Sequence, residues 1–324
     1  MKKNYLFTRL AIALPFILFL NACKKDGLSN EDKTHSKTIA ASSTIQKNKL
    51  SITKVAGVVN PIDIDFDYDG KLYILTKTCV KTIDNGELKT LAVPDTLFSD
   101  FVTYDGFNYG PIKHITAGRD GSIYVAGDNG IRVVFATEGY STYVYGDIGW
   151  GIAGLRDLAI TPNDELYYGG GAEAIVRAVP ENPLISQGLY GFGHDGGGYV
   201  SVMDCVDDNI AWLGTSIGIG SILLPPRPDY TEGWEFKINY IGNPDGKKSE
   251  GPIGKVKLGN ISQIEATDDG SIIYFIEAGN LKQLKNGWVK VIAPMANETS
   301  IALSKDASKL YFIANGELNV LALD

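Results

Sequence analysis

Six copies of one phrase, in which an apolar strand, a turn carrying Asp and a second strand rich in Tyr, Ile, Leu or Trp follow one another, predict an all-β propeller. The copies are Ile62–Leu75, Ile112–Val125, Arg156–Tyr168, Val200–Leu213, Ile261–Phe275 and Glu298–Phe312. Composition agrees: 37 Gly and 17 Tyr beside only 3 Met suit a chain of tight turns and pleated surfaces. With 44% hydrophobic and 21% charged residues over 324 positions, the chain can bury a large core.

The turns carry the repeat. Asp stands at 69, 120, 164, 208, 269 and 306, followed by Gly70, Gly121 and Gly270 in three of them. Asp-Gly between alternating apolar runs is a hairpin signal, because both residues tolerate the left-handed backbone of a tight turn. Five residues before each Asp stands Ile64, Ile115, Ala159, Met203, Ile264 or Ile301. Three before stands Phe66, Ala117, Thr161, Cys205, Ala266 or Leu303, and the period of two marks one buried face. Successive turns are 51, 44, 44, 61 and 37 residues apart, the length of a four-stranded blade. The expectation is therefore a six-bladed β-propeller over residues 49–324. The last unit has room for only three strands, so the candidate strand Leu50–Ala56 is expected to complete the last blade and close the ring.

Gly121-Ser122-Ile123-Tyr124-Val125-Ala126-Gly127-Asp128-Asn129-Gly130 and Trp212-Leu213-Gly214-Thr215 resemble NHL-type repeats and the propeller repeats of two-component sensor proteins. The resemblance covers most of residues 50–324 and implies a propeller. It is uninformative about activity, since those families mostly bind proteins, nucleic acids or glycans and only some relatives are enzymes.

Residues 1–22 follow the plan of a signal peptide, with Lys2, Lys3 and Arg9 ahead of the apolar run Leu10–Leu20. That run is too short, and interrupted by Pro15, for a spanning helix of about 20 residues. Leu20-Asn21-Ala22-Cys23 resembles the lipobox of bacterial lipoproteins, which implies acylation of Cys23 as the mature N-terminus. Residues 23–48 then form the lipidated cysteine and a flexible polar tether. The address expected is the cell envelope, as an outer-membrane lipoprotein facing the periplasm or, because Lys24-Lys25-Asp26 resembles surface-export signals, the cell surface.

Without residues 1–22 the chain has 27 basic against 38 acidic side chains and no Lys/Arg cluster, so nucleic acid is excluded as a partner. The loops leading into the innermost strands gather at one mouth of a propeller, where ligand contacts are expected. Phe98–Tyr109 carries Phe101, Tyr104, Phe107 and Tyr109; Tyr140–Trp150 carries Tyr143, Tyr145 and Trp150; the glycine-rich Tyr190–Tyr199 carries Phe192, His194 and Asp195. Such rings suit stacking on sugars or an extended peptide, and packing between blades is the competing use. His194 and Asp195, with Lys113, Arg156 and Asp157 from neighbouring loops, compose the polar part of the candidate site; His194-Asp195 as a general-base pair is the weaker reading, since adjacent loop residues usually point apart. His114 is read as structural.

Asp65-Phe66-Asp67-Tyr68-Asp69-Gly70 fits the opening of a calcium loop, but the twelfth position is Thr76, where a bidentate Glu is needed, so the segment reads chiefly as a hairpin. Asp63 and Asp65, if buried, each require a hydrogen bond, a cation or a proton. Gly214-Thr215-Ser216-Ile217-Gly218 matches a nucleophile elbow only as a coincidence of the repeat. Cys79 and Cys205 fall in distant repeats and are expected to be free thiols. The excursion Leu224–Gly259, with Trp234 and Tyr240, is either a partner-binding flap or a long outer hairpin. Two functions follow: a non-catalytic binding propeller for a glycan, peptide or protein, with no cofactor, or a metal-dependent hydrolase or lactonase using Asn60, Asp157, Asn260 and Asn297 at the channel.

Overall fold

A computed structural model describes residues 51–91, 103–104, 107–108, 111–127, 130–135, 140–145, 155–170, 174–178, 186–191, 200–224, 239–243, 245–295 and 300–323. Strand β1 (Ile52–Lys54) comes first. Sheet I follows, with β2 (Pro61–Phe66), β3 (Leu72–Thr76), β4 (Val80–Asp84) and β5 (Glu87–Thr90). A two-stranded ribbon, β6 (Thr103–Tyr104) and β7 (Phe107–Asn108), separates it from sheet II: β8 (His114–Ala117), β9 (Ser122–Gly127), β10 (Gly130–Phe135) and β11 (Tyr140–Tyr145). Sheet III contains β12 (Asp157–Ile160), β13 (Leu166–Gly170), β14 (Ala174–Ala178) and β15 (Ser186–Gly191). Sheet IV contains β16 (Val200–Cys205), β17 (Ile210–Thr215), β18 (Gly218–Leu223) and β19 (Asn239–Ile241). Sheet V joins β20 (Gly251–Pro252) to β21 (Ile261–Ala266), β22 (Ile272–Glu277), β23 (Asn280–Lys285) and β24 (Trp288–Pro294). Sheet VI is β25 (Ile301–Leu303), β26 (Lys309–Ala314) and β27 (Glu317–Ala322), with β1 on its outer edge.

Each sheet is antiparallel, and the first strand of each repeat lies innermost. β2 neighbours β8, β8 neighbours β12, and the series runs through β16, β21 and β25 back to β2. This is an all-β propeller. Five sheets have the four strands that the repeat predicts, whereas sheet V carries a fifth, β20, laid against β24.

The core is divided among the junctions between sheets. Tyr73 and Leu75 of sheet I meet Ile115 and Val125 of sheet II. Tyr124 and Val133 of sheet II meet Leu158 and Tyr168 of sheet III. Equivalent clusters fill the junctions III/IV, IV/V, V/VI and VI/I. Tyr167, Tyr168, Tyr274 and Phe275 are among the largest fully buried side chains. Each buried side chain of this size contributes about 1.5–3 kcal/mol of transfer free energy. β1 closes the ring as expected, pairing Ile52 with Leu321 and Lys54 with Asn319.

One repeat is out of register with the sequence alignment. The turn is closed by Asp67 N–H to Lys71 O (3.1 Å), Gly118 N–H to Ser122 O (2.9 Å) and Thr161 N–H to Glu165 O (2.9 Å). Asn163 therefore occupies the place of Asp69 and Asp120, and Asp164 takes the left-handed place of Gly70 and Gly121, at φ 61° against 86° and 84°. Asp tolerates that conformation better than most residues, so the misalignment has a physical cause. The face toward sheet II is consequently Leu158 and Ile160, not the expected Ala159 and Thr161.

The described part of the long excursion runs from the outer edge of sheet IV to the outer edge of sheet V. β19 completes sheet IV, and β20 extends sheet V. The ammonium of Lys282, 2% exposed, fastens it by donating to Ser249 O (2.9 Å) and to Glu277, whose other oxygen accepts Gly259 N–H. Residues 225–238, including Trp234, lie outside the described residues. Ser216-Ile217 turns between two strands with Thr215 Oγ1 donating to Gly218 O (2.8 Å), so this segment is a hairpin and not a strand-to-helix elbow. Cys79 and Cys205 are free, the latter buried.

Candidate functional site

Because side chains alternate along a strand, each innermost strand sends one set toward the preceding sheet and the other toward the channel and the following sheet. The second set includes Asp63 and Asp65 on β2, Thr116 on β8, Asp157 on β12, Asp204 on β16 and Glu265 on β21, with Ser300 just ahead of β25. Together they line an axial cavity of about 110 Å³. Five carboxyl groups in so small a space need partners, and the geometry supplies them.

An innermost strand has an open edge whose N–H groups have no ladder partner. The acid of the preceding sheet takes this role. Ile115 N–H donates to Asp63 Oδ2 (2.9 Å), Met203 N–H to Asp157 Oδ2 (2.8 Å), Ala266 N–H to Asp204 Oδ2 (2.7 Å) and Leu303 N–H to Glu265 Oε2 (3.2 Å). At the VI/I junction Ser300 Oγ accepts Ile64 N–H (3.3 Å). Thr116 Oγ1 donates to Asp65 Oδ2 (2.6 Å). His114 Nδ1 stands 3.8 Å from both Asp63 Oδ2 and Asp157 Oδ1. Acids thus link sheet I to II, III to IV, IV to V and V to VI, and Ser300 links VI to I.

Burial dominates their titration. It raises Asp63 to about 7, Asp65 to about 8 and Asp204 to about 6, against hydrogen bonds that pull the other way. Asp157 and Glu265 are also pushed well above the ordinary range by burial, with neighbouring carboxylates adding to it. Much of the cluster therefore holds protons near neutrality, which lets five acids share one cavity.

At the turn end, Tyr68 lies across the channel. Its hydroxyl is 2.7 Å from Ile160 O and 2.8 Å from Cys205 O, carbonyls of sheets III and IV. Burial pushes its phenol above the usual range. The Arg119 guanidinium sits 5.5 Å from the ring centroid, and Lys305 Nζ donates to Tyr68 O. This ring floors the cavity.

Of the residues expected at the mouth, Asp157 lines the cavity, and Lys113 and Arg156 flank it, each one position ahead of an innermost strand. Lys113 is exposed and Arg156 half-buried, and both are held by backbone N–H bonds, to Ala126 O (2.7 Å) and Gly169 O (3.0 Å). Tyr190 is on β15, its side chain outside the described residues. Tyr109, Trp150, Phe192, His194, Asp195 and the lipidation residue Cys23 also lie outside them. Asp67 acts as a turn cap, accepting the N–H groups of Asp69 (3.0 Å) and Lys71 (2.9 Å). Asn60 adopts φ 46° ahead of β2, and Asn260 accepts Ser201 Oγ (3.4 Å). Among the described residues, no group of three His, Cys, Asp or Glu is arranged to hold a metal ion.

Sequence reasoning missed Asp204, Glu265, Ser300 and Tyr68. A signal existed for the first two. In Val202-Met203-Asp204-Cys205 and Gln263-Ile264-Glu265-Ala266 the acid alternates with the apolar face four places before the turn Asp, as Asp65 does. Nothing in the sequence marks Tyr68, whose partners are 92 and 137 residues away.

No protein-family profile and no curated protein matches the chain. Solved structures do. A streptogramin B lyase shares 15% identity at TM-score 0.54, covering 85% of this chain and 97% of its own. A gluconolactonase from Xanthomonas campestris shares 9% at TM-score 0.58, covering 86% and 91%. An auxiliary nutrient binding protein from Bacteroides thetaiotaomicron shares 13% at TM-score 0.57, covering 82% and 69%. At such identities the likeness is one of fold alone.

Proposed function

We propose that the chain is a six-bladed propeller, counting sheet V as a blade, held at the cell envelope by a lipid on Cys23 and serving as a non-catalytic binding protein. Its ligand is a glycan, peptide or protein contacted by Tyr109, Lys113, Trp150, Arg156, Tyr190, Phe192, His194 and Asp195, the residues that the sequence sets ahead of the innermost strands. The observation that carries this reading is the engagement of the channel acids. Asp63, Asp157, Asp204 and Glu265 each accept a backbone N–H from the next sheet, and Asp65 accepts a hydroxyl. A general base or metal ligand needs a lone pair aimed at the substrate or ion, and one oxygen of each of these acids is already spent on joining sheets. The nutrient-binding neighbour is in keeping with a binding role.

A metal-dependent lactonase is the second reading. It draws on the gluconolactonase neighbour and on His114 standing between Asp63 and Asp157. Thermal melting of the full chain in detergent, with glycans and peptides on one side and divalent cations on the other, separates the two. A ligand at 100 times its dissociation constant stabilises by about 2.7 kcal/mol, a readable shift. A rise in melting temperature with a glycan or peptide and none with calcium, zinc or chelator supports the binding protein. Stabilisation by a divalent ion together with lactone turnover overturns it.

A further inference from the structure

The turn face, at the opposite end of the innermost strands from the mouth, carries two clefts that meet on a shared ridge. One, about 460 Å³, lies between sheets VI and I over Phe66, Leu72 and Tyr311. The other, about 340 Å³, lies between sheets I and II beside Lys71, Tyr73 and Arg119. Asp69, Gly70 and Asn85 border both. The larger cleft alone has the volume of a small-molecule site. Side by side across that ridge, they form a two-part groove over three sheets.

Asp69 is unlike its counterparts in the other turns. Asp120 accepts from Ser122, Asp208 from Asn163, Asp269 from Thr267 and Ser271, and Asp306 from Ser304 and Ser308. In sheet I that capping role has passed to Asp67. The Asp69 carboxylate is left exposed with no hydrogen bond to any described group, on the crest between the clefts. The Lys309 ammonium on the wall of the larger cleft stands near Asp306 but makes no hydrogen bond to a described group, while Lys305 is spent on Tyr68 O.

We propose that this groove binds a neutral oligosaccharide. Its two adjoining clefts offer room for more than one sugar unit. Acids and bases are interspersed along it, which disfavours a polyanion or polycation. Its walls are hairpin tips, which offer no free strand edge for a peptide to extend. The edge-to-face pair Phe66 and Tyr311, 5.5 Å between ring centroids, floors the larger cleft and offers an apolar surface to the C–H face of a pyranose. Vicinal hydroxyls donate to the two oxygens of Asp69, and Lys309 donates to ring or hydroxyl oxygens. The inference rests on the reading of the chain as a binding propeller, and it adds a second ligand surface at the end opposite the mouth.

The test is isothermal titration of the full chain in detergent with cellohexaose, xylohexaose, maltohexaose and mannohexaose, beside tetragalacturonate and a mixed-sequence peptide. At least one neutral hexasaccharide is expected to bind. Asp69→Ala and Lys309→Ala should each weaken it about tenfold, the loss of one charge-assisted hydrogen bond, with an unchanged melting temperature. Failure of every neutral hexasaccharide to bind overturns the proposal, as does binding of the acidic sugar or peptide alone. Neutral-sugar binding that persists in the doubly substituted chain overturns this groove while leaving the binding propeller standing. Metal-dependent lactone turnover with no sugar bound overturns both.

Discussion

The phenol hydroxyl of Tyr68 stands 2.8 Å from the backbone carbonyl of Cys205, so a turn of sheet I reaches across the channel to sheet IV. The carbonyl of Ile160 lies 2.7 Å from the same hydroxyl. One phenolic proton is shared between two acceptors from adjacent sheets, and the ring closes the turn end of the cavity.

Tyr68→Phe removes that proton and leaves both carbonyls facing an aromatic edge. Loss of a buried hydrogen bond costs about 1–3 kcal/mol when the partner is left unsatisfied. Urea unfolding should show a lower midpoint for the variant, and an unchanged midpoint would show that the cross-channel contact contributes nothing.

The channel acids make stability depend on pH in a direction opposite to the usual carboxylate. Burial raises the folded values of Asp63, Asp65 and Asp204 to about 7, 8 and 6, above the 3.8 of the free side chain. Folding therefore favours the protonated forms. Their contribution is full below pH 3.8 and is lost as pH rises through the folded values. The melting temperature should fall between about pH 4 and 8. Asp65→Asn, which can still accept from Thr116, should flatten that slope and melt higher than the parent at pH 8. Parallel pH curves for the two proteins would refute the assignment.

Gly214 marks how closely sheets IV and V approach. A Cβ there would stand 2.5 Å from Val202 Cγ2 and 2.8 Å from Ile261 Cγ2. Gly214→Ala should therefore destabilise by about 1–3 kcal/mol through overpacking, read from chemical denaturation. A neutral result would mean that this junction has slack.

Closure by β1 has its own test. Excision of residues 51–54 removes the pairs from Ile52–Leu321 to Lys54–Asn319 and exposes the edge of β27. An open edge invites pairing with another chain. Lower thermal stability and concentration-dependent association in light scattering are expected. A monomer melting like the parent would show that β1 is dispensable.

The propeller was legible because its determinants are local. The Asp-bearing turns and the apolar face through Ile64, Ile115, Met203, Ile264 and Ile301 need only the period of a strand, and all five residues are buried. The reading slipped by one place at Asp164, because Asp can stand either at the turn's third position or in its left-handed fourth, and the letter alone does not distinguish them. It noted that buried Asp63 and Asp65 would need partners, but not that these would be Ile115 N–H and Thr116 Oγ1 on the next sheet.

The sequence by itself determined the repeat, the antiparallel hairpins, the strand that returns to close the last sheet and the acidic balance, all of which follow from local periodicity, turn chemistry and summed charge. Only the tertiary structure decided which acids share the axis, that Tyr68 floors it, and that Asp69, unlike the other turn aspartates, accepts no hydrogen bond from a described group. Those facts depend on curvature, which brings residues of different repeats within hydrogen-bond reach. A one-dimensional pattern specifies which face a side chain takes, but the ring decides what that face meets.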